Sequence, residues 1–153
     1  MKLSRGSRLA ILVLLLALTR KVDDTPPGPP VPPPVPVNPA PVKEPGFRVL
    51  FLYEKDDLDK YTLGQQDAFT FANKAIDQYT AEKCVKVNGT PERRSWDDDQ
   101  DVSKDTKTMQ DMRKAADVTN LPQLVISNGT TGYVGKAPDT AEKILDLLDD
   151  YGG

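Results

Sequence analysis

Cys84 is the single thiol in a chain of 153 residues that contains no histidine. One sulfur cannot close an intramolecular disulfide, so there is no disulfide framework and the redox compartment stays open. Without imidazole, His-based triads, His metal ligands and imidazole proton shuttles are excluded. The densest set of oxygen ligands lies in "RRSWDDDQDVSKD", residues 93–105. There Asp97, Asp99 and Asp101 alternate and Ser103 continues the spacing, as ligands do in calcium loops. The sixth position of that pattern is Val102 rather than Gly, and the twelfth is Thr108 rather than Glu. These three aspartates are the candidate metal ligands. The competing reading is an acidic solvated loop whose carboxylates suit the N-terminal end of the following helix. Arg93, Arg94 and Trp96 are residue types common at interfaces, and Trp96 suits a core position at a strand end equally well. No glycine-rich phosphate loop, nucleophile elbow or metalloprotease helix is present, and no cofactor is implied.

The elements that must position these groups fall into three parts. Residues 1–24 read as a targeting segment: Lys2, Arg5 and Arg8 precede the apolar run "LAILVLLLAL" (Leu9–Leu18). Ten apolar residues match a signal-peptide core of about 7–15 better than a membrane span of about 20. Ala17-Leu18-Thr19 is a poor cleavage site and Arg20-Lys21 follows at once, so a short uncleaved signal-anchor stays open. No cysteine follows the run to carry a lipid. The expected destination is a membrane, or its periplasmic or extracellular side. Residues 25–46, "TPPGPPVPPPVPVNPAPVKEPG", hold all but a few of the 14 prolines. Proline lacks an amide donor and restricts its predecessor, so neither helix nor sheet is expected there. The segment reads as a polyproline II stalk, with proline-recognition modules as the alternative use.

Residues 47–153 are the expected folded unit. From residue 46 onward the chain carries 14 basic and 20 acidic side chains, a net of −6. An acidic domain gives no electrostatic reason to bind nucleic acid. "FRVLFLY" (Phe47–Tyr53) is apolar on both faces, as a central strand is. Ala68, Phe69, Phe71, Ala72, Ala75, Ile76 and Tyr79 fit one apolar face of a single helix. "CVKV" (Cys84–Val87) and "RRSW" (Arg93–Trp96) flank the turn "NGTP", and either or both supply the second strand. A further helix is expected from an N-cap at Ser103 through Met109, Met112 and Ala116. Pro122, the strand "QLVIS", a turn at "NGTT" and the strand "GYV" follow. The last helix places Ala141, Ile144, Leu145, Leu148 and Tyr151 on one face, with Asp139 and Glu142 as a capping-box-like pair. Asn88-Gly89-Thr90 and Asn128-Gly129-Thr130 match a glycosylation sequon and also read as Asn-Gly turns. The order βαβ, α, β-hairpin, α is that of an α/β sandwich.

That order, with proline directly before the third strand, resembles the thioredoxin-like fold. "MRKAADVTNLPQLVISNGTTGYVG" followed by an amphipathic helix is the most specific stretch. The resemblance implies a mixed sheet of about four strands with helices on both faces. It also implies that Leu121–Pro122 is a cis bond beside the loop that opens the first helix. In that loop, "EKDDLDKYTLGQQDAF", Thr62 and Gln65 fall where the family's Cys-x-x-Cys pair would stand, after Tyr61. Disulfide exchange needs a thiolate and a resolving thiol, so dithiol chemistry is excluded within this chain. The resemblance then implies a redox-inactive protein- or peptide-binding module with Tyr61, Thr62, Gln65, Leu121 and Pro122 on the binding face. The rivals are a single-cysteine redox protein using Cys84, a calcium-dependent activity at the acidic loop, or a stalked component of an envelope or particle. Cys84 itself is read as a small buried hydrophobe.

Overall fold

The computed structural model describes residues 38–152; the targeting segment and the stalk up to residue 37 lie outside them. Twelve short elements follow one another: β1 (Asn38–Pro39), β2 (Arg48–Tyr53), a 3-10 helix (Lys55–Lys60), α1 (Leu63–Phe69), α2 (Lys74–Lys83), β3 (Lys86–Val87), β4 (Thr90–Pro91), β5 (Arg93–Asp97), α3 (Lys107–Ala115), β6 (Gln123–Ser127), β7 (Thr131–Lys136) and α4 (Ala141–Gly152). The fold is α/β. The main sheet is mixed and runs β1-β7-β6-β2-β5, with β3 and β4 as a separate two-stranded ladder. β2 pairs in parallel with β5 and antiparallel with β6.

Burial on both faces explains why β2 sits in the middle. Val49 and Phe51 pack with Phe69, Ile76, Ile144 and Leu148. Leu50 and Leu52 point the other way, onto Met109, Met112 and Trp96. Alternation along the strand thus divides the core, with α1, α2 and α4 over one face and α3 over the other. Trp96 is 3% exposed, so it is a core residue. The second strand is "RRSW" extended to Asp97, and "CVKV" contributes only the two-residue β3.

Four expectations need correction. The single helix after β2 is two helices. Phe71 has φ +53, and Asn73 Oδ1 accepts the Ala75 and Ile76 amides at 3.1 and 3.2 Å to start α2. The break keeps Phe69, Phe71 and Ile76 against the sheet while Ala72 and Ala75 turn to solvent, so apolar spacing alone could not reveal it. The cap of α3 is Thr106 rather than Ser103. Its hydroxyl accepts the Met109 amide at 3.3 Å and donates to the buried Glu92 at 2.7 Å, a tertiary partner that Ser103 lacks. Thr140, not Asp139, caps α4, accepting the Lys143 amide at 3.3 Å.

The fourth correction concerns the end of the proline-rich segment. Asn38–Pro39 forms an antiparallel edge strand on β7, and Val42 is buried in the α3-side core. Proline is tolerated at a sheet edge because its missing amide faces away from the ladder. Ser127 Oγ donates to the Val42 carbonyl at 2.8 Å, and Arg48 Nη1 donates to the carbonyls of Glu44, Pro45 and Gly46 at 2.8, 3.1 and 2.9 Å. Residues 38–46 therefore belong to the domain surface. Both Asn-Gly pairs are turns: Asn88 and Gly89 take φ +51 and +80, while Asn128 Oδ1 accepts the Thr130 and Thr131 amides at 2.9 and 2.8 Å. Among the described residues no helix is long and apolar enough to cross a membrane.

Candidate binding groove

The 3-10 helix delivers Tyr61 to the start of α1, where Thr62 is the N-cap. Thr62 and Gln65 form a capping box: the Gln65 amide donates to Thr62 Oγ1 at 3.3 Å and the Thr62 amide donates to Gln65 Oε1 at 3.1 Å. From the far end of the chain comes Ala137–Asp139. Thr62 Oγ1 donates to the Asp139 carbonyl at 2.5 Å, and Gln65 Nε2 donates to the Ala137 carbonyl at 2.8 Å. Gly64 permits this approach, since a Cβ there would lie 2.8 Å from the Ala141 amide nitrogen. Pro122 follows a cis Leu121–Pro122 bond, and its carbonyl accepts the Ala137 amide at 2.9 Å. The 137–139 segment thus ties the start of α1 to the start of β6.

Between them lies a groove of about 310 Å³ whose lining includes Tyr61, Thr62, Gln65, Leu121 and Pro122. All five residues placed on one face from the sequence come together there. Gln65 needs a qualification: it is 3% exposed, and its amide is engaged by Thr62, Ala137 and Asp139, so it is a strut and not a contact surface. Tyr61 packs edge-on against Phe69 at 5.6 Å, its hydroxyl accepts the Glu54 amide at 3.1 Å, and burial raises its pKa.

Five residues at this site were not placed there from the sequence. Asp57, Lys60, Lys136 and Asp139 line the groove. Leu63, the first residue of α1, is 71% exposed. Lys136 and Asp139 arrive through the hairpin and carry no local signal.

Asp97, Asp99 and Asp101 do not converge. The strand ends at Asp97, whose Oδ1 accepts the Lys55 amide at 2.9 Å. Asp99 is exposed, and Asp101 is exposed and accepts the Ser103 amide at 2.9 Å, which lowers its pKa. Carboxylate oxygens of Asp97, Asp98 and Glu54 instead lie within 4.8 Å of one another. The Asp56 amide pulls the Glu54 pKa down, but desolvation with Asp98 and Asp97 raises it more. Arg113 donates to the Asp98 carbonyl, bringing a positive charge that opposes a cation there. Cys84 is 3% exposed, and burial pushes its pKa up to about 12. No protein-family model, no curated protein and no solved structure matches this chain.

Proposed function

We propose that this chain is a thioredoxin-like, redox-inactive binding module, delivered to a membrane by residues 1–24 and held away from it by the proline-rich stalk. The observation that carries the reading is the meeting of Tyr61 and Thr62 with Leu121 and Pro122 in one groove, with the exposed Leu63 next in the chain after Thr62. The parallel β2–β5 pair, α3, the β6–β7 hairpin and α4 follow the order the resemblance implies. Thr62 and Gln65 hold the helix start with hydrogen bonds and offer no thiol. The partner is a protein or an extended peptide that lays an apolar side chain against Leu63 and Tyr61. The single-cysteine alternative is disfavoured by burial of Cys84, because the thiolate is the reactive form.

Photo-crosslinking tests the reading. A photoreactive residue at Leu63 of the full-length chain should trap a polypeptide from the membrane fraction, whereas one at Val134, 39% exposed on β7, should not. Equal capture at both positions overturns it. So does disulfide reduction of insulin by the purified protein above the buffer rate.

A further inference from the structure

A second cleft, of about 440 Å³, lies between the β3–β4 hairpin, β5 and the loop before α3. Arg94 builds its wall. Nε and Nη2 donate to Asp105 at 2.7 and 3.0 Å, and Nη1 donates to the carbonyls of Pro91 and Arg93 at 3.0 and 2.8 Å. The guanidinium is spent on its own surroundings, so it does not serve as an anion fork. Asp105 also accepts the Thr106 amide at 2.7 Å, and Asp101 accepts the Ser103 amide at 2.9 Å. Arg94 and Lys104 balance Asp101 and Asp105, which leaves the lining with no net charge in a domain of net −6. Such a lining gives an ionic ligand no net attraction.

Apart from the Lys104 ammonium and the Asp101 carboxylate, which offset each other in charge, what remains uncommitted is neutral. The side-chain amides of Asn88 and Gln100 and the hydroxyl of Thr90 line the cleft without a hydrogen-bond partner among the described residues. Each is both donor and acceptor, which is the pairing capacity that hydroxyl groups require. Val87, 36% exposed, and Val102 add apolar surface for C–H groups. The size falls within the range of small-ligand pockets.

We propose that this cleft binds a neutral, hydroxyl-rich ligand of the saccharide class, independently of the Tyr61–Pro122 groove. The test follows amide chemical shifts of the full-length chain titrated with cellotetraose, with chitotetraose, and with tetragalacturonate as the anionic counterpart. The expected result is saturable change at Asn88, Thr90 and Gln100 with a neutral probe, at an affinity about tenfold or more above that for tetragalacturonate. Gln100→Ala should weaken it about fivefold, the worth of one hydrogen bond. Asn88→Gly, which tolerates the positive φ of the turn, should weaken it by a similar factor of about five. Both side chains are exposed, so the unfolding midpoint should not move. A flat response to both neutral probes up to about 10 mM overturns the proposal. Equal binding of tetragalacturonate, or changes confined to the Tyr61–Pro122 groove, does the same.

Discussion

Thr62 and Gln65 satisfy each other at the start of α1, with each backbone amide donating to the other's side-chain oxygen at 3.1 and 3.3 Å. Both then reach across to the 137–139 segment, so the residues that open α1 also brace the groove.

Gln65→Leu keeps the volume and removes this brace. It leaves the Thr62 amide and the Ala137 carbonyl without their partner, and an orphaned buried polar group costs about 1–3 kcal/mol. Thr62→Ala removes the cap hydroxyl and should cost about 1 kcal/mol. Urea unfolding midpoints check both. A Gln65→Leu variant as stable as the parent contradicts the bracing role.

A buried ion pair fastens the segment before β2. Arg48 Nε donates to Glu92 Oε2 at 2.8 Å, with the two residues 5% and 1% exposed. Arg48 also holds three carbonyls of residues 44–46, and Glu92 holds the Thr106 cap. Glu92→Leu strands a buried guanidinium and should cost about 3–5 kcal/mol, more than the paired replacement Arg48→Met with Glu92→Leu. Chemical unfolding of both variants decides this.

Much of the core was legible because its residues alternate or recur at fixed spacing. Val49 to Leu52 read as a strand buried on both faces, and Ile144, Leu148 and Tyr151 as one helical face. The groove residues Tyr61 and Pro122 were reachable only through family resemblance, since nothing local to either indicates the other. Where a long-range partner decides, local reading failed. Thr106 displaces Ser103 as the cap because Glu92 is waiting for its hydroxyl. Asn38–Pro39 becomes a strand because β7 offers an edge and the core has room for Val42. The alternating aspartates do not gather into one cluster because β5 ends at Asp97, after which strand spacing no longer aims the side chains.

Alkaline pH should weaken the fold through Cys84. Its pKa is raised from 9.0 to about 12 by burial, so between those values the folded state keeps a proton that the unfolded chain gives up. The unfolded state then binds fewer protons and stability falls as pH rises, by roughly 1.4 kcal/mol per pH unit at most within the window. Below pH 9 this contribution is intact. Burial also raises Tyr79 from 10.0 to about 12, which steepens the upper part of the loss. Cys84→Ser or Cys84→Ala should flatten the dependence of the thermal midpoint between pH 9 and 10. In the parent, the thiol should resist alkylation at neutral pH until denaturant is added.

Leu63 separates binding from stability. At 71% exposure its side chain contributes little to the core, so Leu63→Asp should leave the unfolding midpoint within about 0.5 kcal/mol of the parent. The same change puts a charge beside Tyr61 in the surface proposed to receive an apolar group. An apolar contact buried at the centre of an interface is worth about 2 kcal/mol or more, so partner affinity should fall at least about thirtyfold. Lys136→Ala, at the polar rim of the same groove, should change affinity only about twofold to fivefold, with a reduced salt dependence. Fluorescence titration of a captured partner or of peptides selected against the parent measures both. If Leu63→Asp binds as tightly as the parent, the contact surface lies elsewhere on the domain.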